Sequence, residues 1–413
     1  MVMSSRLSSA RAPGVRAPRA GRPARRAFAG AAAALFVLFT GNNLPSALYG
    51  LLRGIFGFSP LTQTLLYAVP VVLVILPGLL VFGTLSDVAG RRALILAGLA
   101  AFAVGDVAFM LAGDTAWLFV ARLGQGLGVA LATAASTATL SDSAGGLRAD
   151  PVAAQRMAAL AGTISITGGL AVGPLLGGVL AQYAPAPRIT PLATHLGLVA
   201  IAFALALSIP GRPAAATGHW RLTVPRIPDA IRPRFRVIAV AELLCWAVVG
   251  VFSAVIASLL GSILHTGNLA VTAGGLFVMI ATSAVAQLGA PRLAPLTAQV
   301  GGLSVLAAGL TLLVAAEATS SVPLAVLAMV GSGVGHGLVF AGNLAEITVA
   351  TPTAERGAVL GAIYFVNYAG LGVPVIAVGV LSLWAGLETA TTVAAIVIAV
   401  GCAALIPLVI RRA

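Results

Sequence analysis

Residues 83–92 read Gly83-Thr84-Leu85-Ser86-Asp87-Val88-Ala89-Gly90-Arg91-Arg92, a short polar turn between two unbroken apolar runs, 60–82 and 93–113. Each run has the roughly 20 residues that a helix needs to cross about 30 Å of hydrocarbon. The glycines let two helix ends approach, and the arginine pair marks one membrane face. Asp87 is a carboxylate at that interface, where it can face a helix N-terminus or pair with an arginine. This part of the chain reads as two membrane helices joined by a tight turn.

The same pattern fills the rest of the sequence. Twelve apolar runs occur at about 28–51, 60–82, 93–113, 116–140, 155–182, 192–210, 237–263, 270–290, 296–316, 322–348, 357–383 and 388–410. Only 8% of the 413 residues are charged and the mean hydropathy is +1.05. A soluble domain carries about 25% charged residues, and one this apolar would expose patches that aggregate. A membrane β-barrel is excluded because its strands alternate in polarity, whereas these runs are continuous. The expected architecture is an all-α membrane protein of twelve transmembrane helices. Residues 1–27 form an Arg-rich disordered tail, 28–210 an N-terminal six-helix bundle, 211–236 a linker and 237–413 a C-terminal six-helix bundle. The linker carries Pro213, Pro225, Pro228 and Pro233, and a short amphipathic helix on the membrane surface is expected within it.

All 24 basic residues are arginine. Between the runs they gather on one side: seven before the first run, then Arg91, Arg92, Arg148, Arg156, six in the linker, Arg292, Arg356, Arg411 and Arg412. The other side offers Arg53 and Arg188. The positive-inside rule puts both termini and the linker in the cytoplasm of a bacterial-type cell membrane. The net charge of +13 is thereby a topology signal and a contact for anionic lipid, so no nucleic-acid partner is expected. Arg25-Arg26-Ala27-Phe28 has a likeness to a twin-arginine export signal, but the run behind it is long and contains Asn42, Asn43 and Pro45. An uncleaved first span is expected. Cys245 and Cys402 lie inside apolar runs without ligand spacing, so they are read as small buried hydrophobes, with no metal and no cofactor.

The two halves repeat. Gly124, Gly126 and Gly128 align with Gly331, Gly333 and Gly335, while Ala154-Gln155-Arg156-Met157-Ala158-Ala159-Leu160 aligns with Ala354-Glu355-Arg356-Gly357-Ala358-Val359-Leu360. Two pseudo-symmetric six-helix bundles of the same orientation follow.

The turn at 83–92 resembles the signature loop of the major facilitator superfamily, Gly-x-x-x-Asp-Arg-x-Gly-Arg-Arg. Gly83, Asp87, Gly90, Arg91 and Arg92 match, and Val88 replaces the first arginine. Arg122-Leu123-Gly124-Gln125-Gly126-Leu127-Gly128 is similar to the Arg-x-x-Gln-Gly-x-Gly motif of that family. Gly169, Gly173, Pro174, Gly177 and Gly178 match the pattern of its drug:proton antiporter branch. The resemblance implies the major facilitator fold and alternating access. Asp87 would latch the halves on the cytoplasmic side near Arg356, Pro174 would let its helix flex at the half–half interface, and Arg122 would take part in proton coupling.

Ionisable groups inside a membrane are costly and mark function. Asp106 and Arg122 lie at similar depth and are expected to form a buried pair; His336, mid-run beside a glycine cluster, is a third proton-coupling candidate. Glu242 and Glu346 are read as snorkelling towards the interface. Asn42, Asn43, Gln125, Asn343, Asn367 and Tyr368 are the candidate substrate-cavity residues, amide and aromatic groups that hold mixed polar–apolar ligands. A nearly uncharged cavity suits a small neutral or amphipathic compound and disfavours phosphates, which need basic partners. The expected function is proton-coupled efflux by a monomer in the bilayer, with an uptake symporter as the alternative. The chain is not read as an enzyme: it has no Gly-x-Ser-x-Gly elbow and no His-rich cluster, and without lysine it has no phosphate-cradling Gly-x-x-x-x-Gly-Lys loop.

Overall fold

The computed structural model describes residues 21–82, 85, 89–211, 227–352 and 355–412. Eleven of its helices are long and apolar enough to cross a membrane, and a shorter apolar helix, Thr190–Ala206, makes the twelfth of the expected series. They are α1 (Gly21–Asn43), α2, α3 (Arg91–Met110), α4 (Thr115–Leu147), α5 (Pro151–Tyr183), α6 (Thr190–Ala206), α7 (Arg232–Ile263), α8 (Leu269–Gly289), α9 (Pro295–Thr319), α10 (Val322–Ala350), α11 (Arg356–Ala385) and α12 (Leu387–Arg411). Helix α2 runs Pro60–Pro70, passes through a π-helical turn at Val71–Ile75 and resumes at Leu76–Phe82. That widened turn follows Pro70, whose ring cannot accommodate a regular ladder.

Local chemistry sets the helix starts. Ser59 accepts from Thr62 N at 3.2 Å, Asp114 from Trp117 N at 3.1 Å, Asp150 from Val152 N at 3.0 Å, and Asn268 from Ala270 N at 2.9 Å, so α2, α4, α5 and α8 begin on a side-chain cap. Three boundaries differ from the sequence reading. Helix α1 starts at Gly21, inside the stretch expected to be a disordered tail. The first apolar run then breaks at Asn43, where Pro45 enters a 3-10 turn, Leu44–Ala47, ahead of a short helix, Tyr49–Phe56. Helix α7 starts at Arg232, within the expected linker, after a 3-10 turn at Asp229–Ile231. The surface helix expected in that linker falls largely on residues 212–226, outside the described residues.

Packing reproduces the repeat. The most extensive contacts are α3 on α4 and α9 on α10. A methyl group placed on Gly124 would lie 3.3 Å from Gly105 Cα, and one on Gly331 would lie 3.3 Å from Gly309 Cα. The same backbone-to-backbone crossing is thus built twice, once in each half, and only residues without a side chain permit it. Pro174 in α5 and Pro374 in α11 occupy the same place in the two halves. The halves meet mainly through α5 against α8 and α2 against α11.

Three hydrogen bonds cross between the halves towards the end opposite the chain termini. Gln63 Nε2 donates to Ala254 O at 2.8 Å, Leu269 N to Gln182 Oε1 at 2.9 Å, and Asn268 Nδ2 to Tyr183 Oη at 3.1 Å. Exposed Trp117, Tyr183 and Trp384 lie at this same end, as the aromatic residues of a membrane interface do. At the terminal end, Arg412 donates to Glu346 Oε2 at 3.0 Å, to Gln299 Oε1 at 2.9 Å and to Arg234 O at 3.0 Å, tying α12 to α9, α10 and α7. Glu346 is therefore held in an ion pair, where the sequence reading had it snorkelling alone.

Gly173 sits against α1, where an added methyl would meet Thr40 O at 2.2 Å; Gly169 faces the same helix and Gly177 the 3-10 turn, Leu44–Ala47, that follows it. Gly178 faces the other half, 2.5 Å from Leu269 O by the same measure, while the other three glycines of the motif pack α5 on α1 and the turn that follows it. Gly173→Val should lower stability by about 1–3 kcal/mol or more, the cost of overpacking. Gly361→Ala, with nothing within 4 Å, should leave stability unchanged or slightly raise it. Thermal melting of the purified protein in detergent checks both.

Candidate functional site

The first half buries a connected chain of polar side chains. Gly41 on α1 clears a space that a methyl group would close, its nearest neighbour there being His195 Cε1 at 2.2 Å. The His195 ring from α6 fills that space and leans on Phe102, with ring centroids 5.3 Å apart. His195 Nδ1 lies 2.7 Å from Asp106 Oδ2, and its Nε2 lies 2.9 Å from Val37 O. Asp106 Oδ1 accepts from Gln125 Nε2 at 2.8 Å, and Gln125 Oε1 accepts from Arg122 Nη1 at 2.8 Å. Arg122 also donates through Nη1 to Asn42 O and through Nε to Leu66 O, each at 3.1 Å. Asp106, Arg122, Gln125 and His195 are all 0% exposed.

The geometry fixes a proton. A carbonyl only accepts, so His195 Nε2 must carry a hydrogen towards Val37 O. Nδ1 then faces a carboxyl oxygen, and that contact is bonding only if one proton lies between them, on the imidazole or on the acid. Asp106 and Arg122 do not touch as the sequence reading had it. Gln125 stands between them, and the charge partner of Asp106 is His195. His195 is the only ionisable residue in its apolar run, so the rule that flagged Asp106 applies to it equally. Sequence spacing could not place it beside α3.

The second half buries a different cluster. Glu242, expected near the interface, is 0% exposed. Asn343 Nδ2 donates to its Oε1 at 3.0 Å. The Asn367 amide, oriented as its neighbours require, donates to Glu242 Oε2 at 2.7 Å and to Ile363 O at 3.0 Å, while its oxygen accepts from Trp246 Nε1 at 3.2 Å.

Between the halves lies a small cavity of about 10 Å³, lined by Thr167 and Leu170 from α5, Trp246 and Val249 from α7, Met279, Ile280 and Ser283 from α8, and His336 from α10. His336 Nδ1 is 2.7 Å from Ser283 Oγ, and its Nε2 has no partner among the described residues. None of the six residues expected to line a substrate cavity lines this one. Asn43 is spent on Leu170 O at 2.8 Å and Ser46 Oγ at 2.9 Å, Gln125 on Asp106 and Arg122, Asn343 and Asn367 on Glu242; Tyr368 packs half-buried against the core, and Asn42 holds Arg122 through its backbone O while its side-chain Oδ1 has no partner among the described residues. A larger cavity of about 380 Å³, lined by Arg53, Ser258, Ser262 and Glu388 among others, lies at the end opposite the termini, away from both buried clusters.

Of the signature turn, Gly83 and Asp87 lie outside the described residues, so the latch towards Arg356 is not described. Gly90 adopts φ +84° at the start of α3, a conformation that favours glycine. Arg91 bonds Asp142 and Ala138 O on α4, within its own half. Arg356 donates to Thr351 O at 3.2 Å.

Replacing His195 with Phe strands a buried carboxylate. It should cost about 3–5 kcal/mol, the loss seen when one member of a buried pair is removed. Pairing His195→Gln with Asp106→Asn, neutral on both sides, should recover part of that loss in thermal melting, and no recovery would contradict the pairing.

Comparison with curated protein sequences gives no match. Solved structures do match. A bacterial homolog of the human lysosomal transporter Spinster, in an inward-facing and unoccupied conformation, superposes with a TM-score of 0.72 at 15% identity, covering 95% of this chain and 98% of that one. A point mutant of the nucleoside transporter NupG gives 0.71 at 15%, covering 94% and 99%. The human organic anion transporter MFSD10 (TETRAN) gives 0.66 at 16%, covering 93% and 99%. At these identities the likeness is one of fold. The family model of the Major Facilitator Superfamily matches residues 31–374, most of the chain and both buried clusters. With that match added to the twice-built helix crossing, the chain belongs to the major facilitator superfamily of membrane transporters.

Proposed function

We propose that the chain is a proton-coupled secondary transporter that exports a small neutral or amphipathic organic compound by alternating access. The observation that carries the proton coupling is the 2.7 Å contact of His195 Nδ1 with Asp106 Oδ2, which requires one proton between them. Its removal leaves a carboxylate facing a lone pair, a repulsive contact in a site that water does not screen. Asp106 is then drawn towards Gln125 and the Arg122 charge behind it. Arg122 also holds the backbones of α1 and α2 through Asn42 O and Leu66 O. One turn along α2 from Leu66, Gln63 holds Ala254 O of the other half. Loss of one proton thereby loosens the contact that closes the halves opposite the termini. Its gain restores that contact.

The pocket between the halves has room for about one water in this conformation, and the groups around it are aliphatic, hydroxylic and aromatic, the His336 imidazole being the one ionisable group among them, which supports an uncharged or amphipathic substrate. Two of the structural neighbours are named for different substrates, a nucleoside and an organic anion, so the shared fold selects neither. Export is supported by the likeness of residues 169–178 to the antiporter pattern. The arginine-rich end faces the cytoplasm of a bacterial-type membrane, and the unit of transport is the monomer.

Inverted membrane vesicles test the direction. Acidifying their interior should drive accumulation of a hydrophobic fluorescent dye. An uncoupler should abolish it, and so should Asp106→Asn present at the native level. Accumulation in right-side-out vesicles driven by an inward proton gradient would instead identify a symporter. Movement indifferent to the gradient would remove proton coupling altogether.

A further inference from the structure

We infer that Glu242 is a second proton-binding site, in the opposite half from Asp106, and that it carries its proton in this conformation. The inference rests on the reading of the chain as proton-coupled, and it adds a site that reading does not use. Glu242 lies ten residues into α7, far from either end of a helix that runs from Arg232 to Ile263. Its carboxyl is wholly buried. Every group that bonds it is neutral: the Asn343 amide from α10 and the Asn367 amide from α11, itself anchored by the Trp246 indole. The titratable groups around it are the Tyr364 phenol from α11, the Cys245 thiol from its own helix and, beyond that thiol, Cys402 from α12. His336 from α10 stands on the far side of Trp246, with ring centroids 5.1 Å apart. No cation within ion-pair distance of Glu242 is present among the described residues.

The contrast with the first half is the argument. Asp106 has an imidazole in contact and a guanidinium one side chain away. Glu242 has only dipoles. A buried carboxylate without a counter-charge costs several kcal/mol, and a proton removes that cost. The neighbours also say which oxygen bears it. Oε2 accepts from Asn367, whose amide is committed at both ends by Ile363 O and Trp246 Nε1. Oε1 faces Asn343, whose Oδ1 has no partner among the described residues. Rotating that amide exchanges a donor for an acceptor, so Asn343 serves Oε1 in either protonation state. A proton on Oε1 is met when the Asn343 amide turns its Oδ1 towards it, in place of the Nδ2 that donates there, so the Asn343 amide is its reader.

Infrared spectroscopy of the full-length protein in lipid reads this directly, without any substrate. At neutral pH the native chain should show a protonated-carboxyl C=O band. Glu242→Gln should remove it, Asn343→Leu should shift it, and Asp106→Asn should leave that component in place. Should Glu242→Gln fail to fold, heavy-carbon labelling of glutamate in the native chain should move the band instead. Absence of the band at neutral pH would overturn the inference. So would a band untouched by both the substitution and the label, or one removed by Asp106→Asn alone. A failure here with intact gradient-driven transport would leave the first proton site standing.

Discussion

A guanidinium buried at membrane depth must have its donors answered, because neither water nor lipid will answer them. Arg122 meets most of this demand through Nε and Nη1, which reach three acceptors on three elements: Asn42 O on α1, Leu66 O on α2 and Gln125 Oε1 on its own α4; Nη2 is left without a partner among the described residues. Much else in the first half follows from that constraint. Gln125, with its oxygen committed to Arg122, turns its nitrogen to Asp106. Asp106, with one oxygen so engaged, offers the other to His195, and His195 closes the chain on Val37 O of α1. Four side chains thus bind α1, α2, α3, α4 and α6 around a single exchangeable proton.

The glycines make that arrangement possible. Gly105 and Gly124 let α3 and α4 cross at backbone distance, which brings Gln125 alongside Asp106. Gly41 clears room for the His195 ring. The second half repeats the crossing at Gly309 and Gly331 but fills it differently. The counterpart of Gln125 is Ser332, and the polar interior has moved to Glu242, Asn343 and Asn367, nearer the terminal end. One scaffold built twice therefore carries two unlike ionisable sites, as expected when backbone packing and site chemistry are separately constrained.

Much of this fold was legible in the sequence because the bilayer simplifies the problem: span length, arginine placement and small-residue spacing are one-dimensional signals. The glycine repeat at Gly124 and Gly331 belongs to that class, whereas the starts of α4 and α5 on Asp114 and Asp150 were not read from the sequence, which placed them at about 116 and 155. The site was less legible. Whether Asp106 meets Arg122 directly or through Gln125 depends on side-chain reach across a helix crossing, which no spacing rule encodes. His195 and Glu242 carried the same signal as Asp106, an ionisable group within an apolar run, but their partners lie 89 and 101 positions away. The asparagines read as cavity liners turned inward for the reason that made them conspicuous. A buried amide needs partners, and Leu170 supplied one for Asn43 and Glu242 one each for Asn343 and Asn367.

The central claim is that occupancy of the Asp106–His195 proton closes the halves opposite the termini. Spin labels at Val179 and Val271, exposed positions beside the Gly178–Leu269 contact, report that closure as a distance. The two native cysteines are buried and need not interfere. In lipid, pulsed electron spin resonance should show a short separation at acidic pH that lengthens as the pH rises, with Asp106→Asn insensitive to pH. A distance distribution unchanged across the pH range in the otherwise native chain would contradict the account.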